Sequence, residues 1–320
     1  MKHLDIIVPC YKEEMCVPLF YGAVDQVMEK LPDYTYSIIY VDDGSPDHTL
    51  SVIKDLAEQC GGERVKYISF SRNFGKEAAI YAGLSASTGD AAALMDADLQ
   101  HPPSLLPQML AALDEEDYDC VAARRVSRKG EPKLRSLFSR AFYALINKVS
   151  DVRFEPNVSD FRVMKREMVE AVLSLGEKER FTKGIISWVG FKNKWINYVN
   201  VERAAGETTW SFIKLVKYAI SGIVAFSTAP LRLATFLGVF VVICAFLYSV
   251  YTFILVFVHG EKTSGYATII IVLLFLGGFI ITLLGIIGEY LAMLYKEIKN
   301  RPIYIAKETN IHNEAVTGRN

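Results

Sequence analysis

Two aspartates, Asp96 and Asp98, form the sharpest chemical feature of the sequence, and they follow the short apolar segment 91–95. Two carboxylates so spaced can bind one hard cation, because Mg²⁺ in proteins typically uses one or two carboxylates together with substrate phosphates. Gln100 and His101 come next and could add ligands. An acidic turn exposed to solvent has the same pattern, so the position of the pair at a strand end is what favours a metal site.

A second acidic pair, Asp42 and Asp43, follows the apolar segment 36–41 and leads into Gly44 and Ser45. Carboxylates at a strand end can accept hydrogen bonds from a nucleobase N–H or from ribose hydroxyls. A plain turn is the alternative, since Asp and Gly favour turns. The glycine-rich phosphate loops of dinucleotide-binding and P-loop proteins are absent from the sequence, so a nucleotide would have to be bound in another way.

A basic run between residues 124 and 140 supplies the cations that a phosphate ligand requires. Its members are Arg124, Arg125, Arg128, Lys129, Lys133, Arg135 and Arg140, against Glu131 alone. Close to a membrane, such a run can bind anionic head groups or a single phosphate. A solvated charged surface is the alternative, and we favour it for Arg128 and Lys129.

Alternating strands and helices position these residues. Strand patterns occupy residues 4–8, 36–41, 65–70, 91–95 and 120–123, and helical patterns occupy residues 17–30, 49–60, 76–87 and 105–115. The alternation predicts an α/β fold with a mostly parallel sheet and helices on both faces. Ligands of such sheets bind outside the carboxyl ends of the strands, where both acidic pairs are expected.

The composition limits the partners. The 320 residues carry 35 Lys and Arg against 36 Asp and Glu, a net charge of −1, which argues against nucleic-acid binding through bulk charge. Mean hydropathy is slightly positive, at +0.21, and the apolar excess lies in two uncharged stretches, 233–258 and 266–288. Because about 20 apolar residues cross a bilayer, these stretches predict a hairpin of two transmembrane helices.

The distribution of basic residues predicts the orientation of this hairpin. Basic residues flank it on the outside, at Lys214, Lys217, Arg232, Lys296, Lys299 and Arg301, and only Lys262 lies in the loop between the spans. The positive-inside rule then predicts a multi-pass protein of the cytoplasmic (inner) membrane with both termini in the cytoplasm. Residues 1–14 lack the apolar core of a secretory signal, so we expect the first ~225 residues to stay cytosolic.

Five regions follow from this reading. We predict a cytosolic catalytic domain at 1–205, which includes an amphipathic helix at about 134–149, and an amphipathic juxtamembrane helix at 206–229. Two transmembrane helices within 230–295 and a cytosolic tail at 296–320 complete the chain. Both amphipathic segments have apolar residues at helical spacing. They can lie on a membrane surface or, equally, pack against the catalytic domain.

Several longer motifs in the sequence resemble those of a known enzyme family. The segments VPCYKEE, VDDGSPDHT, SRNFGKEAAIYAGL and MDADLQHPP, in this order, resemble the inverting glycosyltransferases of family 2, which have the GT-A fold. The segments VSDFRVM, RFTKGIISWVG and GETTWSFIKL, with two C-terminal spans, resemble its polyprenyl-phosphate branch. Bactoprenol glucosyltransferases and, more distantly, dolichol-phosphate mannose synthases belong to that branch, and the resemblance extends to about residue 305.

The resemblance implies a donor site and a metal site. The first nucleotide-binding segment contains Pro9, Tyr11 and Glu13. The base and ribose are bound by Asp42 and Asp43, and the diphosphate lies near Arg72, Gly75 and Lys76. A divalent cation, Mg²⁺ or Mn²⁺, is bound by Asp96, Asp98 and Gln100, with Asp98 counted among the catalytic residues. A loop with Arg180, Phe181 and Gly184 closes on the donor.

The resemblance also implies an acceptor side. Asp160 corresponds to the family's catalytic acidic residue, which could act as a general base or orient the acceptor. The lipid phosphate is bound by Arg124, Arg135 and Ser139, and Arg124 is also counted among the catalytic residues. Arg124 ends an Ala-Ala-Arg sequence where the family carries Gly-Ser-Arg, which is a departure. Arg135 and Ser139 are four residues apart, so a helix would place them on one face.

The implied reaction is inverting transfer of a hexose from a UDP-sugar, glucose first, to undecaprenyl phosphate on the cytoplasmic face, for modification of a cell-envelope glycan. The same reaction with UDP-N-acetylglucosamine or another sugar remains open. A processive polysaccharide synthase is disfavoured, because the chain has no Q-x-x-R-W motif and only two spans. A non-catalytic membrane sugar-nucleotide sensor or flippase scaffold is the alternative from another class. The expected partners are the UDP-sugar, polyprenyl phosphate, the lipid bilayer and further copies of the chain, with a tetramer as one possibility.

Overall fold

The computed structural model describes residues 1–126, 144, 146–148, 150, 152–178, 180–199, 227–259 and 265–312. Its centre is an eight-stranded sheet in the order β7-β5-β6-β4-β1-β2-β3-β8. The strands are β1 (Lys2–Cys10), β2 (Tyr34–Asp42), β3 (Val65–Phe70), β4 (Ala91–Leu94), β5 (Cys120–Arg125), β6 (Val158–Lys165), β7 (Asn193–Tyr198) and β8 (Ala306–Thr309).

Eight helices accompany the sheet in the described part of the chain. They are α1 (Cys16–Met28), α2 (Thr49–Cys60), α3 (Lys76–Ala86), α4 (Leu106–Glu115), α5 (Arg166–Ser174), α6 (Thr182–Trp188), α7 (Ala229–His259) and α8 (Tyr266–Ile298). A short 3₁₀ turn, Pro103–Leu105, precedes α4.

The predicted α/β architecture is confirmed. The sheet is mostly parallel, and two of its strands, β6 and β8, run antiparallel to their neighbours. Strands β4, β1, β2 and β3 run parallel to one another, as do β5 and β7. Strand β6 is antiparallel to both of its neighbours, and β8 is antiparallel to β3. Each predicted strand and helix up to residue 123 is present with ends shifted by a few residues, whereas β6, β7 and β8 carried no strand prediction.

Apolar clusters cover both faces of the sheet. On one face, α1 and α4 pack with alternate strand residues such as Ile6 and Val8. On the other face, α3, α5 and α6 pack with residues of opposite phase, such as Ile7 and Leu94. Since successive strand residues point to opposite faces, strands buried on both faces require nearly continuous apolar sequence. The segments that end at Val8 and Val41 have that composition.

One tight contact fixes the loop after β2 against the loop after β3. Gly44 has a φ of +65°, and a Cβ atom there would lie 2.6 Å from the backbone carbonyl carbon of Arg72. A residue with a side chain therefore cannot occupy this position without moving the Arg72 backbone. The acidic turn that begins at Asp42 thus lies directly against the SRNFGK segment.

The two C-terminal helices are long and apolar enough to cross a membrane by length and composition. The qualifying stretches are Ala229–Ile254 and Phe275–Ile298, with mean hydropathies of 2.4 and 1.9 and with no side chains buried inside the protein. Such apolar exposure is unfavourable in water and favourable in lipid. Helix α8 runs ten residues beyond the predicted span end at residue 288.

The C-terminal helix contacts the α/β domain at its end. Glu297 of α8 accepts a hydrogen bond from the backbone N–H of Lys178 at 2.7 Å. The chain then returns to the sheet as β8, so the predicted tail, 296–320, contains a strand of the catalytic sheet. Asn310 and Thr309 bind the backbone of β3 at Val65 and Tyr67. The predicted helices at 134–149 and 206–229 lie mostly outside the described residues, as do Arg135 and Ser139.

Candidate active site

Four charged side chains meet at the carboxyl edge of the central strands. The Nζ of Lys76 lies 2.6 Å from Oδ1 of Asp96 and 2.7 Å from Oδ2 of Asp160. The Nζ of Lys183 lies 3.4 Å from Oδ1 of the same Asp160. Asp160 thus lies between Lys76 and Lys183, and Asp96 contacts Lys76 as well. The two lysine ammonium groups can also bind phosphate oxygens.

Two helix starts deliver these lysines to Asp160. Lys76 is the first residue of α3 and Lys183 is the second residue of α6. Next to them, Glu77 accepts hydrogen bonds from the backbone N–H of Thr182, at 2.9 Å, and from its hydroxyl. The Glu77–Thr182 contact joins the first turns of both helices, so it holds the two lysines on either side of the carboxylate that β6 contributes.

The electrostatics of Asp160 follow from this geometry. Burial alone would raise its pKa, but the attraction of Lys183 and Lys76 prevails and holds the pKa well below its usual value. The same contacts raise the pKa of Lys76 above its ordinary value, although burial opposes this. Asp160 is therefore an anion at neutral pH, and it is a weak base because its conjugate acid is strong.

The residues of the predicted metal site lie in the turn after β4. Asp96 is half-buried and Asp98 is buried, and the backbone N–H of Gln100 donates to Oδ1 of Asp98 at 3.1 Å. Leu99, between them, has a φ of +55°. A non-glycine residue in that region is strained, and such strain persists where the surroundings fix the backbone. The turn is thus held in one shape, with both carboxylates near the strand end.

A divalent cation fits this turn. The buried Nδ1 of His101 has no hydrogen-bond partner and lies 4.0 Å from Oδ2 of Asp96. Burial lowers the pKa of His101, although Asp96 and Asp98 oppose the shift, so the imidazole is neutral and able to bind a cation. Within the part of the chain that the structure describes, no three His, Cys, Asp or Glu side chains are grouped to hold a metal. Asp96 and Asp98 would therefore hold the ion together with substrate phosphates.

The carboxylates of the second acidic pair, Asp42 and Asp43, accept hydrogen bonds from other residues of the protein. Asp42 accepts hydrogen bonds from the Ser45 N–H at 3.0 Å and from the Ser69 hydroxyl at 2.9 Å. Asp43 accepts from the N–H groups of Phe74, at 2.6 Å, and of Gly75, at 2.9 Å. A carboxylate offers about four acceptor positions, so both retain capacity for a further donor.

Asp43 shapes the segment that leads to Lys76. Burial raises its pKa to about 6, although the Phe74 and Gly75 N–H groups act in the opposite direction. Gly75 has a φ of +101° and directly precedes α3. The carboxylate thus holds the last turn before Lys76, the residue that contacts Asp160. The Arg72 guanidinium lies 4.0 Å from the centre of the Phe74 ring and is exposed.

The remaining donor-side residues lie at the end of β1. Pro9 pairs with Val41 in the parallel register, which places the YKEE segment beside the Asp42–Ser45 turn. The Glu13 N–H donates to the Thr49 hydroxyl at 2.9 Å, and the Tyr11 side chain is exposed. The predicted nucleotide-binding residues therefore gather along one edge, where direct contact with a nucleotide stays a prediction.

The structure describes one predicted acceptor-side residue, Arg124, and the predicted donor loop with Arg180, Phe181 and Gly184. Arg124 lies on β5 and its Nε donates to the Asn197 side chain at 2.9 Å. Arg180 is buried, donates to the carbonyl oxygens of Val172 and Leu175, and lies over the Tyr81 ring. These contacts tie the loop after α5 to the protein. Phe181 and Gly184, at the start of α6, are also buried, so a donor contact of this loop remains a prediction.

Sequence reasoning missed the roles of Lys183, Glu77 and Arg162. Lys183 lies in the RFTKG segment and directly precedes Gly184, which was predicted to belong to the donor loop. The positive charge of a lysine in this segment was the signal that could have identified it. Glu77 follows Lys76 directly, but nothing local shows that it binds Thr182. Arg162 follows Asp160 by two residues on β6, which puts it on the same face of the sheet. Its Nε donates to the Asp160 carbonyl oxygen, and its charge helps to lower the pKa of Asp160.

Comparison with known proteins identifies two family matches along the chain. The profile described as glycosyl transferase family 2 matches residues 5–173. A second profile, described as the GtrB C-terminal hairpin, matches residues 229–294.

Similar full-length proteins are also known. A putative glycosyltransferase CsbB of Bacillus subtilis (strain 168) is 46% identical over 97% of this chain and 93% of its own length. The SfII prophage-derived bactoprenol glucosyl transferase of Shigella flexneri is 40% identical over 96% of this chain and 98% of its own. Among solved structures, the glucosyl-3-phosphoglycerate synthase of Mycobacterium tuberculosis, in complex with Mn²⁺, UDP-glucose and phosphoglyceric acid, is 19% identical. It covers 70% of this chain and 78% of its own, with a TM-score of 0.46.

Proposed function

The chain belongs to glycosyltransferase family 2, and we propose that it transfers a hexose, glucose first, from a UDP-sugar to polyprenyl (undecaprenyl) phosphate at the cytoplasmic face of a membrane. The product would be a polyprenyl-phosphate-linked sugar for a cell-envelope glycan. The bactoprenol glucosyl transferase of Shigella flexneri, similar over nearly its whole length, supports glucose and this acceptor. The two long apolar helices support a membrane location.

One observation carries the proposal. Asp160 lies between Lys76 and Lys183, and Lys76 also binds Asp96 of the predicted metal turn. The cluster thus connects the side where a diphosphate would bind to the side where a second phosphate would approach. Transfer between two phosphate-bearing substrates requires cations on both sides, because their charges repel each other.

The reaction balances without a proton transfer. An oxygen of the acceptor phosphate dianion attacks the anomeric carbon, and the bond from that carbon to the UDP oxygen breaks. UDP leaves with the electron pair, and the configuration at the anomeric carbon inverts. The acceptor is already an anion, and the lowered pKa of Asp160 makes this carboxylate a poor base. We therefore assign Asp160 the role of orienter, which holds Lys76 and Lys183 where the phosphates need them.

Asp96 and Asp98 would hold a divalent cation with the donor diphosphate. Bound there, the ion would supply Lewis-acid stabilisation to the leaving diphosphate. The neutral His101 imidazole, close to Asp96, fits such a site. Mg²⁺ and Mn²⁺ both suit carboxylate and phosphate oxygens, so either would serve.

One feature of the fold supports the proposed membrane topology. Strand β8 follows α8 and pairs with β3 of the catalytic sheet, so the chain must return to the side from which it entered the membrane. An even number of crossings satisfies this, which supports the proposed two-span hairpin with the catalytic domain and both termini in the cytoplasm. The basic residues outside the hairpin support the same orientation.

Product analysis tests the proposal. The full chain, in membranes or nanodiscs, is incubated with polyprenyl phosphate and a panel of UDP-sugars, with and without EDTA, and the lipid product is weighed by mass spectrometry. We expect a monosaccharide-phosphate lipid that forms only without EDTA and is formed fastest from UDP-glucose.

Other outcomes distinguish the alternatives. Faster turnover of UDP-N-acetylglucosamine would change the sugar and leave the reaction class intact. A long polymer would indicate a processive synthase. The absence of lipid product with every donor, while UDP-sugar binding persists, would contradict the transferase proposal and favour a membrane sugar-nucleotide sensor or flippase scaffold. Control reactions contain an Asp160→Asn variant, which should bind UDP-glucose without turnover.

A further inference from the structure

The second membrane helix returns to the sheet through a short segment, residues 297–305, which we call the return segment. It contains the last two residues of α8 and leads directly into β8. Residue 297 lies nine positions beyond the predicted end of the apolar span at residue 288, which is about 14 Å further along a helix. On the proposed topology, the return segment therefore lies outside the hydrocarbon core of the bilayer.

At its start, the return segment contacts the loop between α5 and α6. The Glu297 carboxylate accepts a hydrogen bond from the backbone N–H of Lys178 at 2.7 Å. Burial raises the pKa of Glu177, Arg180 opposes this shift and Glu297 adds to it, so these three charges lie close together. A charged acceptor that binds a backbone N–H fixes the path of the loop itself.

At its end, the return segment packs against α3 and against the end of β3. The centre of the Tyr304 ring lies 6.5 Å from that of Tyr81 on α3 and 4.8 Å from that of Phe70. The Ile305 carbonyl oxygen accepts a hydrogen bond from the Ser71 N–H at 3.0 Å. These contacts hold the return segment against α3, the helix that carries the first lysine of the charged cluster.

Two further contacts join the α5–α6 loop to α3. The buried Arg180 guanidinium lies 4.5 Å from the centre of the Tyr81 ring, and Glu77 accepts a hydrogen bond from the Thr182 N–H at 2.9 Å. A closed ring of contacts therefore runs from Glu297 through the loop and α3 back to the return segment. Because protein interiors are close-packed, a displacement of one member of such a ring is transmitted to the others.

We propose that Glu297 is a positioning residue of the active site, which fixes the α5–α6 loop and thereby holds Lys183 beside Asp160. The inference rests on the proposed function, and it makes transfer depend on where the second membrane helix ends. Lys183 lies five positions after the N–H that Glu297 binds, and its Nζ is 3.4 Å from Oδ1 of Asp160. Loss of the Glu297 contact releases the loop, so the lysine is no longer held at this distance.

Three variants of one helix test this role in the full chain, reconstituted in nanodiscs. Glu297→Ala should lower kcat about tenfold, the lower end of the effect expected for a lost hydrogen bond to a charged group. Glu297→Gln should keep most of the kcat, because its amide oxygen still accepts the Lys178 N–H. Glu289→Ala is the matched control, since Glu289 is an exposed carboxylate about two turns earlier on the same helix. Its kcat should not change.

A double-mutant cycle shows whether Glu297 acts through Lys183. Lys183→Met by itself should lower kcat. In that background, Glu297→Ala should lower kcat by less than about twofold further, because two changes that act on one contact are not additive. The Tm of every variant is measured by thermal unfolding in parallel, so that a defect of folding is distinguished from a displaced lysine.

Hydrogen exchange separates this inference from the proposed reaction. The backbone amides of residues 182–185 should exchange at least about threefold faster in Glu297→Ala than in the wild-type chain, because local opening of this segment becomes easier. The amides of α4 are the internal control and should not change. If the wild-type chain does not turn over but exchange at residues 182–185 still responds to the variant, the proposed reaction is wrong and the positioning contact stands.

Four results would overturn the positioning role. Normal kcat in Glu297→Ala is the first, and unchanged exchange at residues 182–185 is the second. The third is a Glu297→Ala effect that is just as large in the Lys183→Met background, because Glu297 would then act elsewhere. The fourth is an equal loss of kcat in Glu289→Ala, which would point to the charge of the helix and not to the contact with the loop.

Discussion

Replacing Lys76 with methionine removes the cation that joins Asp96 to Asp160. Methionine keeps much of the length and apolar volume of the side chain, so the main change is the loss of charge. The variant leaves two carboxylates facing the space where two phosphates must approach. We expect the Lys76→Met enzyme to lose both stability and turnover, for the same electrostatic reason.

The size of the stability loss follows from the exposure of the three side chains, which is 37% for Lys76, 27% for Asp96 and 30% for Asp160. Exposed ion pairs contribute about 0.2–1 kcal/mol, and removal of one partner from a fully buried pair costs about 3–5 kcal/mol. Each of the two half-buried ion pairs should contribute about 1 kcal/mol, the upper end of the range for exposed pairs, so their loss costs about 2 kcal/mol. For a domain of this size that lowers Tm by about 4–8 °C.

Thermal unfolding and steady-state kinetics of the full chain measure the two effects. Turnover should fall about 100-fold, the scale expected when a reacting group is displaced by 1 Å. Lys76→Arg should recover part of both losses, because it keeps the charge. Lys165→Met is the matched control, since Lys165 pairs with Asp119 at 3.8 Å and is 35% exposed. It should lose at most about 1 kcal/mol and keep its turnover.

A Lys76→Met enzyme with near-normal turnover would refute the reasoning, because the cluster would then not organise the reaction. A fall in Tm no larger than that of the control, together with lost turnover, would separate the catalytic effect from the structural one and overturn the stability estimate. An equal loss of turnover in Lys165→Met would point to a general defect of the fold.

Three further predictions address the donor side. Asp98→Ala should lower turnover at least ~100-fold and abolish metal-dependent UDP-glucose binding, while membrane insertion persists; normal turnover would remove Asp98 from the metal site. The pKa of Asp43 is raised to about 6, so protonation below that pH weakens its hold on the N–H groups of Phe74 and Gly75. UDP-glucose affinity should therefore fall as the pH drops through about 6, and an unchanged pH dependence in Asp43→Asn would contradict this. Tyr304 stacks on Phe70 at 4.8 Å, and Phe70 is the last residue of β3 before the SRNFGK segment, which is predicted to lie near the diphosphate. Tyr304→Ala should therefore raise the donor KM, and Tyr304→Phe should restore it. Tyr295→Ala, exposed on α8, should have no effect, and an equal rise there would show that the stack is not responsible.

The sign of the Asp43 effect on stability is opposite to that of Asp160. The raised pKa of Asp43 means that the folded protein binds this proton more tightly than the unfolded chain. Its contribution to stability is therefore present at low pH and is lost as pH rises from 3.8, the ordinary pKa of an aspartate, through about 6. The lowered pKa of Asp160 gives stability that is present above its unfolded value and is lost as pH falls.

Part of the candidate site was predictable because it depends on local sequence. Asp96 and Asp98 follow an apolar strand, as do Asp42 and Asp43, and parallel strands place such ends at one edge. The prediction that both pairs face the same edge needs only the strand pattern and the parallel topology. Their hydrogen-bond partners were not predictable, because Phe74 and Gly75, which bind Asp43, lie about thirty residues away.

The C-terminal strand illustrates a second limit. Residues 306–309 have no strand signal strong enough to separate them from a tail, yet they form β8. Pairing with the exposed edge of β3 supplies the hydrogen bonds, and Asn310 fixes the register through its side chain. An edge strand recruits such a segment through backbone groups, which every sequence carries.

The sequence by itself determined the order of strands and helices up to residue 123, the location of the acidic pairs and the two apolar spans. These depend on periodicity, run length and residue type within a few positions. Only the tertiary structure decided that Lys76 and Lys183 flank Asp160. Residues 76, 160 and 183 meet because Glu77 binds Thr182 across two helix starts. A contact between distant segments depends on packing, and no local pattern records it.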